Sequence, residues 1–273
     1  MIASERLYPI RRPLAAAFAG GAVAVLGGLI GLGGAEFRLP ILIGMFALFP
    51  HRAVRTNLLI SVVTLAVSAV ARLNFVDASN VAGAKVEIAG MLIGGIAAAW
   101  LGAGYLRRIP KAHMMGIIAT LLLATAVLLA AEIFVQRAAG SLLAPDSIWR
   151  FPAAILGGLV VGAISSLLGV AGGEFIIPIL ILLFGVDVWT AGTASVLISI
   201  PIVIVGVARH VLTGHYRSQS LLAYLVLPMA IGSGVGAMAG GYLAAWTPAD
   251  ALRIALAAIL AISAVRLWVK GHG

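Results

Sequence analysis

Glu36 and Glu174 each interrupt an apolar run, and each directly follows a cluster of small residues. The two stretches are Gly31-Leu32-Gly33-Gly34-Ala35-Glu36-Phe37 and Gly169-Val170-Ala171-Gly172-Gly173-Glu174-Phe175, and each glutamate is followed four residues later by a proline, Pro40 or Pro178. Glycine disfavours helix by about 1 kcal/mol per residue, so several together should unwind one. In hydrocarbon the freed amides must find partners, and irregular backbone survives there only where protein or a wet cavity covers it. A half-helix starting after each motif presents unpaired N–H groups and about half a positive charge. Two such ends brought together would make an anion site. Gly31, Gly33, Gly34, Ala35, Glu36, Gly169, Gly172, Gly173 and Glu174 are therefore candidate binding residues.

The two carboxylates admit three roles. Each could cap its half-helix, with the dipole stabilising the charge. Each could carry a proton, since desolvation favours the neutral acid. Each could ligate a cation. Arg38 could pair with either glutamate or face a bound anion through its planar fork. Downstream, Asn57, Ser61, Thr64 and Ser68 recur on one face at helical spacing. Such hydroxyls often only bond a carbonyl one turn back. Asn57 and Ser195 occupy matched positions near the two motifs and are further candidates to line the site.

Composition says what surrounds this chemistry. The chain has 273 residues, of which 62% are hydrophobic and 10% charged. Soluble domains carry about 25% charged residues, so this chain cannot clothe a normal water-facing surface. It reads as an all-α polytopic membrane protein. With no cysteine, disulfides and thiolate sites are excluded. The formal charge of +9 fits orienting loops, and no aromatic-and-basic stripe suggests nucleic acid. His51, His113, His210, His215 and His272 have no tight ligand spacing and read as loop residues. No nucleophile elbow, phosphate loop or HExxH occurs, so neither an enzyme, a metal nor a cofactor is expected. The N-terminal apolar run lacks a convincing cleavage site and reads as the first membrane segment.

Ten apolar segments follow, near 14–31, 37–49, 53–73, 86–106, 113–133, 152–169, 175–185, 189–208, 221–244 and 250–269. Most approach the roughly 20 residues that cross a bilayer. Segments 37–49 and 175–185 are shorter, as expected for broken or re-entrant helices meeting near the midplane. Between Ile30–Phe46 and Leu168–Phe184, an offset of 138, nine of 17 positions are identical, including the Glu, Phe and Pro. The same frame pairs Ser61 with Ser199, Gly94 with Gly232, Gly102 with Gly240 and Pro110 with Pro248. The chain thus divides into an N-terminal stretch 1–13, a repeat 14–133, a linker 134–151 and a second repeat 152–269. With the N-terminus inside, twelve basic residues fall in inner loops and five in outer ones. That bias predicts both termini in the cytoplasm. Five segments per repeat is odd, so the second repeat is expected inverted, with its site at the repeat interface. Gly94, Gly95, Gly102, Gly104, Gly232, Gly234, Gly236 and Gly240 lie at small-xxx-small spacing and are expected at helix contacts.

At these residues the chain resembles the sulfite exporter TauE/SafE family of anion permeases. The carriers of the resemblance are the duplicated motifs Gly31–Pro40 and Gly169–Pro178, with Arg52-Ala53-Val54-Arg55-Thr56-Asn57 and Thr190-Ala191-Gly192-Thr193-Ala194-Ser195 after them. The family often has Thr-Ser where this chain has Thr56-Asn57 and Ala194-Ser195. The resemblance implies a secondary transporter, an exporter in a bacterial inner membrane, moving sulfite or an organosulfonate such as sulfoacetate by alternating access. Proton coupling through Glu36 and Glu174 is one way to drive it. The residues alone leave open a carrier for another carboxylate, a cation or a neutral solute, and a membrane subunit without transport activity.

Overall fold

A computed structural model describes residues 12–30, 34–72, 78–105, 109–135, 141–214, 219–244 and 249–272. These residues are helical apart from short turns. In chain order they form α1 (Pro13–Ile30), α2 (Ala35–Gly44), α3 (Pro50–Arg72), α4 (Ala78–Gly83), α5 (Lys85–Tyr105) and α6 (Lys111–Val135). Then come α7 (Arg150–Leu168), α8 (Gly173–Phe184), α9 (Val188–Leu212), α10 (Gln219–Leu221), a π-helical turn (Leu222–Val226), α11 (Leu227–Ala244) and α12 (Ala249–His272). Each of the ten apolar segments corresponds to a helix, and α4 is an addition. Five stretches are long and apolar enough to cross a bilayer: Pro50–Val70, Lys85–Tyr105, Arg150–Leu168, Thr190–Leu212 and Gln219–Gly240. The chain is an all-helical, polytopic membrane protein.

The short elements are short for visible reasons. Gly185 in the left-handed conformation (φ 69°) ends α8, its N–H returning to Ile181 and Leu180 carbonyls. Pro40 and Pro178 lie inside α2 and α8. Proline has no N–H, so the carbonyls of Glu36 and Glu174, one turn earlier, lose their helical partners.

Long helices pack in pairs that join one half of the chain to the other. α1 runs along α11, α5 along α7, α6 along α12, and α3 crosses α9. Shifting by 138 residues turns α1·α11 into α7·α5 and returns α6·α12 and α3·α9 to themselves. α2 against α3 and α12 is likewise matched by α8 against α9 and α6.

Lipid supplies no hydrophobic drive between helices, so close backbone approach must hold these seams. A Cβ added at Gly232 would lie 2.0 Å from the Ala17 carbonyl oxygen, at Gly236 2.2 Å from that of Gly21, and at Gly240 2.3 Å from that of Val25. Across the equivalent seam, one at Gly94 would lie 2.1 Å from the Ile155 oxygen and one at Gly162 2.3 Å from that of Gly95. At Gly95 and Gly102 it would strike the side chains of Ile202 and Ser166, whereas Gly104 and Gly234 have only ordinary contacts.

One ion pair fixes an end of the bundle. Arg150 Nε donates to Glu87 Oε1 at 2.6 Å, while Nη2 donates to the Phe184 carbonyl at the end of α8 (3.1 Å). The guanidinium also stacks over the Phe184 ring. The start of α5, the start of α7 and the end of α8 thus meet at one cation. Four of the five histidines depart from the expected loop placement, His113 lying in the first turn of α6 and His272 ending α12, while His215 is outside the described residues. His210 is buried in α9, and His51 lies in the first turn of α3, with Nε2 3.1 Å from the Ile109 carbonyl oxygen.

Gly162→Val should lower stability by about 1–3 kcal/mol through overpacking. Gly116→Ala, whose Cβ meets nothing within 4 Å, should leave stability unchanged or raise it by up to about 1 kcal/mol. Thermal unfolding of the detergent-purified variants compares the two.

Candidate functional site

Both half-helices begin at a left-handed glycine, Gly34 (φ 70°) before α2 and Gly172 (φ 76°) before α8. A side chain would be strained at either. A Cβ at Gly34 would also sit 2.6 Å from the Val23 carbonyl oxygen, and one at Gly172 2.6 Å from a Val161 methyl. Val23 and Val161 are themselves 138 residues apart. Gly169 (φ 67°) closes α7, its N–H bonding the Ser165 carbonyl, and packs against the Val54 carbonyl of α3 in the other half. Gly31 and Gly33 lie outside the described residues.

Side chains of the loops and following helices hold these entries in place. Asn57 Nδ2 donates to the Ala35 carbonyl (2.8 Å), and Ser199 Oγ to the Ala171 carbonyl (2.8 Å). Each bond ties a broken-helix start to the helix after it. Gly34, Ala35, Gly169, Gly172 and Gly173 are all buried.

Glu36 and Glu174 come together. Each is 1% exposed. Their carboxyl groups adjoin, within reach of a hydrogen bond to one another. Among the described residues no other side chain donates a hydrogen bond to any of the four oxygens.

Two residues further along α2, Arg38 is also 1% exposed. Its Nε donates to Asn57 Oδ1 (3.1 Å), Nη2 to Ser61 Oγ (2.9 Å), and Nη1 to Thr64 Oγ1 (2.8 Å) and Ser233 Oγ (3.2 Å). All four acceptors are neutral oxygens, and Glu36 acts on the cation only through space. The acceptors are themselves oriented. Ser61 donates to the Asn57 carbonyl, Thr64 to that of Ile60 and Ser233 to that of Gly20. So the hydroxyls of the polar stripe bond a carbonyl one turn back and also hold the guanidinium. Ser195 is not among the acceptors of Arg38; its hydroxyl donates to the Gly192 carbonyl in its own helix.

Ser61 and Thr64 were foreshadowed by their spacing from Asn57. Ser233 carried no such signal, for it stands alone in the glycine-rich run Ile231-Gly232-Ser233-Gly234. Its repeat counterpart is Gly95, so only the α1·α11 packing brings it to Arg38. Among the described residues, no group of three or more His, Asp or Glu is placed to hold a metal ion. A separate cleft of about 1060 Å³ opens between α5, α7 and α9, where Arg209 stacks on Trp100 at 4.5 Å. It includes none of the residues around Arg38.

Apolar helices enclosing broken helix starts, a buried guanidinium and two buried carboxyls have the construction of a polytopic membrane transporter. The sequence model of the sulfite exporter TauE/SafE family matches residues 15–267, and the chain belongs to that family of membrane transporters for sulfite-type anions. No curated protein and no solved structure matches the chain.

Arg38→Met should be strongly destabilising, by about 3 kcal/mol or more, because it strands a buried opposite charge and the Asn57 oxygen. Arg38→Lys keeps the charge but loses the fork and should fall between. Thermal unfolding followed by tryptophan fluorescence ranks the three proteins.

Proposed function

We propose that this protein is an inner-membrane secondary transporter that exports sulfite or an organosulfonate such as sulfoacetate. The observation that carries this reading is the buried guanidinium in the first turn of the half-helix α2, in a chain of this family. Arg38 supplies a fixed positive charge in the buried interior. The first turns of α2 and α8 supply N–H groups and positive dipole ends. A planar guanidinium suits the oxygens of a sulfite or sulfonate. In this reading the loop residues Gly31, Gly33, Gly34, Ala35, Gly169, Gly172 and Gly173 give the anion close access to backbone. Asn57 orients Arg38, and Ser195 sits at the equivalent place in the second half.

The exchange of packings under the 138-residue shift supports two structurally equivalent halves, 14–133 and 152–269, inverted in the membrane and rocking about the site. Both termini then lie in the cytoplasm, as the basic loops require. A cytoplasm-negative potential expels anions, so export needs little further drive.

Detergent-purified protein should be stabilised by sulfite or sulfoacetate and not by taurine, lactate or sodium. A ligand at 100 times its Kd adds about 2.7 kcal/mol. In proteoliposomes the same anions should move without another protein present. A melting shift with sodium alone would instead make the glutamates cation ligands. Absence of flux from the purified chain would favour a subunit that needs a partner.

A further inference from the structure

The geometry points to Glu36 and Glu174 acting as one proton-sharing dyad, which holds a single proton at rest and takes up a second when an anion binds beside Arg38. The inference rests on the anion-transport reading only for its second half.

Two carboxylates in contact in a dry interior repel too strongly for both to be ionised, and a shared proton converts repulsion into a hydrogen bond. Here that proton has an evident place. Among the described residues neither carboxyl has a side-chain donor other than its mate; Glu174 adds only its own backbone N–H, so the side-chain partner of each is the other. The local charge agrees. Arg38 is held by neutral oxygens alone and needs one negative charge nearby. One carboxylate and one carboxylic acid meet that need and leave the centre neutral. If both groups were ionised, the centre would carry a net negative charge and oppose anion entry. If both were protonated, Arg38 would face the anion unopposed.

Along the helices packed on α2 and α8, the other charged and titratable residues stand toward the helix ends. α1, packed on α2, has no titratable residue. α7, packed on α8, has only Arg150, which is bound to Glu87. On α3 the charged and titratable residues are His51, Arg52 and Arg55 in the first two turns and Arg72 at the end. α9 has Arg209 and His210 in its last turn. α6 has Lys111, His113 and Glu132 toward its ends. α12 has Asp250 and Arg253 near its start and Arg266, Lys270 and His272 near its end. Glu36 lies between the two, acting on Glu174 on one side and on Arg38 on the other.

The test reads the proton directly. Infrared spectra of the purified protein at neutral pH should contain a protonated-carboxyl stretch that disappears in Glu36→Gln and in Glu174→Gln. Glu36→Asp should shift the band without removing it. Each single glutamine variant should fold, because its amide can donate to the remaining carboxylate. The double variant should melt lower than either single one, since Arg38 then has no counter-charge. Saturation with methanesulfonate, which is ionised at every pH used, should strengthen the band and draw close to one proton from weakly buffered solution.

Absence of a band assignable to these residues would overturn the dyad, and so would single variants as damaged as the double. A methanesulfonate-induced melting shift with no proton uptake would overturn the coupling and leave the transport reading standing. A normal band and variant pattern, with neither methanesulfonate nor sulfite shifting the melt, would support the dyad and count against the anion reading.

Discussion

A guanidinium buried among packed helices is the constraint around which the centre is arranged. Leaving a cation in a dry interior is costly unless its N–H groups are bonded and an opposite charge lies near. Arg38 meets this with four bonds to Asn57, Ser61, Thr64 and Ser233 and with Glu36 close by. Those acceptors lie on α3 and α11, and Ser233 is itself bonded to α1. The positions of α2, α3, α11 and α1 are therefore coupled through one side chain. A helix start that looks broken in isolation is held by the bonds that satisfy the charge.

The second organising feature is duplication with selective departures. The Gly34 and Gly172 entries and the Val23 and Val161 contacts repeat the same construction, whereas the ties from Asn57 and Ser199 come from non-equivalent positions that serve the same end. The cation does not repeat, because the counterpart of Arg38 is Ile176 and that of Ser233 is Gly95. Both carboxyls repeat. Two equivalent helix starts thus share one fixed positive charge and two groups able to hold protons. This asymmetry places the fixed charge on one half of the chain only.

Much of the fold was legible because hydrocarbon permits few solutions. Long apolar stretches must form helices in lipid, where backbone groups have no water to bond. Helix positions therefore follow from composition, and the segments at 86–106 and 152–169 correspond closely to Lys85–Tyr105 and Arg150–Leu168. Glycine spacing announced the α5·α7 and α1·α11 seams for the same reason, since close approach needs small residues. His210 was misplaced because histidine alone gives no indication of burial.

By itself, the sequence determined the all-helical membrane class, the family, the duplication and the two small-residue–glutamate motifs. Each is written in local composition or in self-similarity at a fixed offset. Only the tertiary structure decided that Glu36 meets Glu174, that Arg38 bonds neutral oxygens rather than either carboxyl, and that Ser233 completes its fork. The first and last of these contacts span 138 and 195 residues. Separations of that size leave no periodicity in the chain, and they arise only when packing closes the two halves on one another.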